Sequence, residues 1–291
     1  RNKAIEMSTD IFNQNKEQVI RGTAKVKVIE QIKDVSVKDE IINQSTKNVL
    51  IIGATGGIGS ETCLNLASMG YNIIIHYYNN REKAFEIKKK VNQLGVEAFV
   101  YKANIINDKD VKNLFLSIEN RIGHISFLIN CGTIRLPYIN FEKLEWEEIQ
   151  NHLDINIKAN YNLVKGVLPF FKVKKEGKII FITTLSIENA PPSEMLAYVT
   201  AKSALNGFAK SLAIELAKYN ITVNMVSPGM TDTDLVSNVP EKYKMLTAAK
   251  TPLKKLASSK DVAGAIAFLA SESANYITGE TIRVNGGQIM L

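Results

Sequence analysis

Residues 47–291 predict an α/β fold: a doubly wound parallel sheet of seven strands with helices on both faces. Three observations predict it. Seven short apolar runs recur along this stretch, segments with a 3.6-residue apolar spacing lie between them, and the runs are apolar at consecutive rather than alternating positions. Strands alternating with helices make βαβ units. A strand that is apolar on both sides belongs in a sheet covered on both faces.

The strands are read, in order, as NVLIIG from Asn48, YNIIIHYY from Tyr71, AFVYKAN from Ala98, ISFLINC from Ile125, KIIFITT from Lys178, ITVNMVS from Ile221 and TIRVNG from Thr281. The helical stretches run from Ser60 to Met69, Glu82 to Leu94, Lys109 to Ile122, Trp146 to Phe171 and Tyr198 to Tyr219. Residues 1–46 differ in character. A strand-like TAKVKVIE and a turn-like Asn13-Gln14-Asn15 precede the polar VKDEIINQST, and the whole is too short for a core of its own. It is expected to be an N-terminal extension or hairpin arm with a linker.

At 291 residues with 45% hydrophobic and 22% charged residues, the chain has the make-up of one large globular core. Cys63 and Cys131 are too few for a disulfide framework and suit a reducing compartment. His76, His124 and His152 show no HxxxH or CxxC spacing, so no metal site is expected, and each is read as a surface or structural residue. No apolar run approaches the roughly 20 residues that span a bilayer, and no secretory leader pattern opens the chain. The expectation is a soluble, cytoplasmic protein that binds no membrane. The start at Arg1 rather than Met suggests a trimmed chain or a piece of a longer polypeptide. The formal charge of +7 comes from lysines scattered over amphipathic segments without interleaved aromatics, which argues against nucleic-acid binding and leaves acidic cofactors or carriers as partners.

The first strand runs directly into Gly53-Ala54-Thr55-Gly56-Gly57-Ile58-Gly59 and then a helix. Gly53 makes the tight turn, Gly57 lets backbone N–H groups approach a pyrophosphate, and Gly59 allows close helix packing. This is a Rossmann-type phosphate loop, with Thr55 and Ile58 among its lining residues. At the end of the second strand, from Tyr77 to Arg81, no acidic side chain is present to accept from the ribose 2′-OH of NAD. Arg81 can pair with a 2′-phosphate or be a solvated charge at a helix start. NADP(H) is therefore preferred, with NAD(H) as the alternative.

Tyr198 and Lys202 stand four apart at the start of a helical stretch, so they share a face. A free phenol titrates near pH ~10, and a neighbouring ammonium favours its ionised form.

The GxxxGxG spacing, the YxxxK pair and their order resemble the short-chain dehydrogenase/reductase superfamily over residues 48–291, closest in outline to 3-oxoacyl-[acyl-carrier-protein] reductases. The family usually has Thr where this chain has Ile52. The resemblance makes Tyr198 the proton donor and acceptor, Lys202 its cationic partner, and Asn156 in DINIKAN the residue that links Lys202 to solvent through a water. It also requires a hydroxyl that binds the substrate carbonyl oxygen 13 residues before Tyr198, where this chain has Leu185. Thr184 and Ser186 compete for that role, with Ser186 slightly preferred. Asn104 and Ile105 correspond to the adenine-contacting segment. Asn130-Cys131-Gly132-Thr133 stands where the family has NNAG, with Asn130 as the sheet-stabilising residue. Pro228, Gly229, Thr231 and Thr233 correspond to the nicotinamide loop.

The implied activity is NADP(H)-dependent reduction of a 3-oxoacyl thioester on acyl carrier protein or coenzyme A, by a homodimer or homotetramer. Alternatives are a sugar, steroid or small-alcohol dehydrogenase using the same residues, and a catalytically silent cofactor-binding scaffold. The segment IFNQNKEQVIRGTAKVKVIE resembles the last hairpin of a hot-dog-fold thioester hydratase.

Overall fold

The computed structural model describes residues 4–12, 18–27 and 47–290, and divides the chain into two compact units, 1–44 and 45–291. In the first, β1 (Ala4–Phe12) and β2 (Gln18–Lys27) pair antiparallel, with Ala4 opposite Lys27 and the register shifting between Ile11 and Phe12. The turn read at Asn13-Gln14-Asn15 and the linker before residue 47 lie outside the described residues. So does the final part of the stretch that resembles a hydratase hairpin.

The second unit begins with β3 (Asn48–Ile52), α1 (Gly57–Ser68), β4 (Asn72–Tyr77), α2 (Arg81–Gln93) and β5 (Ala98–Lys102). It continues through α3 (Asp108–Ile122), β6 (Phe127–Asn130), α4 (Trp146–Leu153), α5 (Ala159–Lys174), β7 (Gly177–Ile182) and α6 (Leu196–Ala217). Then come β8 (Ile221–Pro228), the short β9 (Thr231–Asp232), α7 (Glu241–Lys250), the short β10 (Ala257–Ser258), α8 (Ser259–Ala270) and β11 (Thr281–Val284).

All seven expected strands enter one parallel sheet, in the order β11-β8-β7-β6-β3-β4-β5. The chain order reverses between β3 and β6, which opens a crevice at the carboxyl ends of those strands, where ligands bind in doubly wound sheets. Successive residues of β3 serve opposite faces. Leu50 and Ile52 join the core beneath α3, α5 and α6, while Val49 and Ile51 join the core beneath α1, α2 and α8. That two-sided burial explains why the strand reads as one continuous apolar run.

The helix expected from Trp146 to Phe171 is present but is not α-helical throughout. After α4 the hydrogen bonding widens into a π turn over Asp154–Lys158 before α5 begins. The reason lies in two asparagines. The Asn156 side-chain amide donates to the His152 carbonyl at 2.9 Å and the Asn160 amide to the Asn156 carbonyl at 2.6 Å, so side chains take acceptors in the ladder and an extra residue is accommodated.

Candidate active site

The loop after β3 is built around contacts that admit no side chain. Gly53 has a φ of +67°, and a Cβ there would sit 2.7 Å from Gly132 Cα in the loop after β6. A Cβ at Gly59 would overlap the Gly53 carbonyl oxygen, so α1 starts hard against the turn. Gly56 is the N-cap of α1 and brings no side-chain hydrogen bond, whereas Asn80, Asn107 and Ser258 cap α2, α3 and α8 with theirs. A helix N-terminus left open in this way presents backbone N–H groups and the positive end of its dipole to an anion. Thr233 packs over the loop, its Cγ2 lying 2.9 Å from where a Gly57 Cβ would be. These residues form a cradle that suits a dinucleotide pyrophosphate.

His76, in β4, ties the cradle together. Its Nδ1 accepts from the Gly53 N–H at 3.4 Å and its Nε2 donates to the Ala103 carbonyl at 3.0 Å. Burial pushes its pKa down to about 4, despite the opposing Ala103 hydrogen bond. The ring is therefore neutral near pH 7, as this donor–acceptor bridge requires.

The sequence-derived cofactor residues fall around this cradle unevenly. Arg81 is exposed at the start of α2, its guanidinium 5.3 Å from the Phe85 ring centroid. Tyr77 and Ile105 are buried side chains of the two cores, which leaves mainly their backbone for ligand contact. Asn104 turns inward to its own loop, its Oδ1 accepting from Ile106 N at 3.1 Å. Asn130 acts as a clasp: its Nδ2 donates to Asn160 Oδ1 and its Oδ1 accepts from Gly132 N, both at 2.7 Å. Beyond β8, the Thr231 hydroxyl donates to the Gly229 carbonyl at 3.1 Å, and β9 pairs with β10 to hold this loop. Pro228 pairs with Val284 of β11 at the same end of the sheet.

Tyr198 and Lys202 lie one turn apart on α6 and are both buried, at 7% and 4% exposure. The Lys202 ammonium donates to the Ile182 carbonyl at 2.7 Å and lies 5.9 Å from the Tyr198 ring centroid. Burial depresses its pKa to about 8, partly offset by the Cys131 thiol. Burial likewise raises the Tyr198 phenol, a hydrogen bond with Thr184 opposes that rise, and the nearby Tyr138 phenol adds to it. The sequence suggested a phenol made more acidic by its lysine. In the free protein burial raises it instead, because the pair is almost dry.

Of the two candidate hydroxyl residues, Thr184 is the buried one, and it lowers the Tyr198 phenol's pKa. Thr184 is extended just past β7, and its Oγ1 accepts from the Ser186 N–H at 3.3 Å, capping the single 3-10 turn Leu185–Ile187. Ser186 stands inside that turn, with its hydroxyl 3.3 Å from that of Thr184. Thr184 stands two residues past the end of β7 and Ser186 four.

Two residues near Tyr198 escaped the sequence reading. His152, read as surface or structural, is fully buried in the last turn of α4 with its ring edge-on to Tyr198, centroids 6.0 Å apart at 81°. Its spacing of four from Asn156 was the available signal, since residues i and i+4 share a helix face. Tyr138 lies in the loop after β6 with a φ of +37°, and the adjoining Ile139 N–H donates to the carbonyl of Glu194, itself at +63°. Nothing in sequence spacing flags that contact. Cys131 and Cys63 are free thiols, burial pushing Cys131 up to about 12 against the lowering effects of Thr62 and Lys202.

Among the described residues, no group of three or more His, Cys, Asp and Glu side chains is placed to hold a metal ion, and no helix is long and apolar enough to cross a membrane. A cavity of about 810 Å³ lies on the outer face between α3 and α5, lined by Phe115, Leu116, Tyr161 and Phe170 among others, and includes none of the predicted site residues.

Comparison with known proteins agrees with this fold. Residues 53–288 match the family described as enoyl-(acyl carrier protein) reductase. A 3-oxoacyl-[acyl-carrier-protein] reductase FabG from Staphylococcus epidermidis is 33% identical over 246 residues, covering 84% of this chain and 99% of that protein. An uncharacterized oxidoreductase, YmfI of Bacillus subtilis, is 35% identical over 242 residues, 83% of this chain and 98% of its own length. Among solved structures, YwfH, an NADPH-dependent reductase involved in bacilysin biosynthesis, superposes with a TM-score of 0.79 at 27% identity, covering 85% of this chain and 100% of that one.

Proposed function

Because the chain belongs to the short-chain dehydrogenase/reductase family and is an oxidoreductase, we propose that it uses NADPH to reduce a 3-oxoacyl thioester, carried by acyl carrier protein or coenzyme A, to the 3-hydroxyacyl form. One observation carries the catalytic part: Tyr198, Lys202 and Thr184 are buried together at the carboxyl ends of the strands, with Lys202 fixed by the Ile182 carbonyl. The substrate class rests on the 3-oxoacyl reductases among the relatives and on the basic charge of +7, which favours acidic carriers. NADPH is favoured by the lack of a carboxylate from Tyr77 to Arg81 and by an NADPH-dependent structural neighbour. The same reading implies a homodimer or homotetramer acting in the cytoplasm.

The cradle of Gly53, Gly56, Gly57 and Gly59 would hold the pyrophosphate, with Arg81 available to a 2′-phosphate and Thr231 and Thr233 to the nicotinamide end. When bound, the cofactor supplies hydride to the carbonyl carbon. Tyr198 gives its phenolic proton to the carbonyl oxygen as negative charge develops there. Its raised pKa in the free protein keeps that proton in place until it is needed. Thr184 donates a hydrogen bond to the same oxygen, a contact of the kind whose removal costs roughly 2.7–4 kcal/mol. Lys202, fixed by the Ile182 carbonyl, places a cation beside the phenolate that remains.

The test is a substrate panel under NADPH and NADH, in wild type and Tyr198→Phe. We expect NADPH oxidation with acetoacetyl-coenzyme A, lowered by roughly 10²- to 10⁴-fold in the variant, the range for one general acid. Turnover of sugars or steroids alone would overturn the thioester reading. Binding of NADPH without turnover of any carbonyl would indicate a silent scaffold.

A further inference from the structure

Where β3, β4 and β5 end, their ladder of main-chain hydrogen bonds runs out. Its last rungs leave β4 in both directions: the His76 carbonyl accepts from the Ala54 N–H at 3.2 Å, and the Tyr77 carbonyl from the Ala103 N–H at 3.3 Å. Two groups stand beside these rungs without a main-chain partner among the described residues, the Gly53 N–H in the turn after β3 and the Ala103 carbonyl after β5. The buried His76 ring serves both, accepting from Gly53 through Nδ1 at 3.4 Å and donating to Ala103 through Nε2 at 3.0 Å. One neutral tautomer, with its hydrogen on Nε2, can make the two bonds together.

The bonded groups begin two different loops. Gly53, at a φ of +67°, opens the cradle that leads into α1. Ala103 opens the loop into α3, whose far end is already tied down: the Asn104 N–H donates to Asp110 Oδ2 at 3.1 Å, and the Asn107 side chain caps the helix. In a doubly wound sheet the pyrophosphate lies at the first of these loops, and the adenosine ribose lies over the end of the next strand, here β4. The imidazole thus stands under the adenosine half of a bound dinucleotide and joins the loops on either side of it.

We propose that His76 is a positioning residue for the adenosine half of the cofactor, locking the pyrophosphate turn to the loop after β5 so that both walls of the site are fixed before the ligand arrives. Walls held in this way lower the ordering cost of binding and leave the chemical step, at Tyr198, untouched.

This role rests on NADPH as the cofactor, and the test separates the two. His76→Leu fills the space and removes both nitrogens. His76→Asn keeps a polar end near the place of Nδ1, and His76→Gln one near the place of Nε2. The readouts are the KM for NADPH, kcat with acetoacetyl-coenzyme A, and the Kd of 2′,5′-ADP, which carries the adenosine half without the nicotinamide. In His76→Leu, KM and Kd should rise together by roughly tenfold, the scale of one to two lost hydrogen bonds, with kcat within about threefold of wild type. The Asn and Gln variants should fall between the two, since each can restore one of the two bonds. A folded His76→Leu protein with wild-type KM and Kd would overturn the proposal, as would a loss confined to kcat or to melting temperature. If His76→Leu does not fold, the Asn and Gln variants decide on the same constants, wild-type values in both overturning it. Failure of the cofactor reading shows separately, as a wild type that binds neither NADPH nor 2′,5′-ADP.

Discussion

The half of the sheet formed by β3, β4 and β5 and the half formed by β6, β7 and β8 prepare their functional groups by different means. In the first, the work is done by backbone. Gly53 and Gly59 pass so close to other main-chain atoms that no side chain fits, α1 begins without a side-chain cap, and His76 bridges two strand ends. In the second, the work is done by side chains brought together from β7, α4 and α6: Thr184, His152, Tyr198 and Lys202. A backbone cradle tolerates almost any side chain around it but no added atom inside it. A side-chain cluster tolerates reshaping of its neighbours but depends on register.

The sharpest way to break the comparison is to exchange the two candidate hydroxyls. Thr184→Val should lower kcat for acetoacetyl-coenzyme A by about 10²- to 10³-fold, the loss expected for one donor to a developing oxyanion. Ser186→Ala should stay within about threefold, since its removal forfeits at most one ordinary hydrogen bond. The reverse ranking would mean that the 3-10 turn rearranges when substrate binds.

Gly59→Ala should act on the other half and through stability. Its Cβ overlaps the Gly53 carbonyl oxygen, and overpacking of this kind costs about 1–3 kcal/mol. Thermal unfolding of the apoprotein should shift down, and the KM for NADPH should rise with kcat less affected. An unchanged KM would show that the cradle yields more easily than its contacts indicate.

The smallest expected effect is on pH dependence. Lys202 is held at about 8, below its ordinary value of 10.5, because its charge is buried. Its cation is thus present below pH 8 and lost as pH rises through that value, so kcat for reduction should fall by up to about tenfold per pH unit above it. The sign for stability is opposite. Burying the charged form disfavours folding below pH 8, and this penalty eases between pH 8 and 10.5. A profile flat to pH 10 would place the required charge elsewhere than Lys202.

The sequence alone determined the seven strands, the glycine loop and the Tyr198–Lys202 pair. Each is encoded locally: apolar runs set strands, Gly53 and Gly59 occupy positions that only glycine can fill, and four-residue spacing on a helix is enough to align two side chains. Helix boundaries were legible to within a few residues, but the π turn inside the long helix was not. Its cause, the capture of main-chain carbonyls by Asn156 and Asn160, depends on where those amides point once α4 packs against α6. The different settings of Thr184 and Ser186 were hidden for a similar reason, because residue spacing does not record the 3-10 turn that Thr184 caps and Ser186 stands in. Tertiary structure also decided that Tyr198 loses its proton less readily than a free phenol, and that His152 lies dry beside it. Burial is a property of everything packed around a residue, so pKa and hydrogen-bond satisfaction emerge only when the chain has closed upon itself.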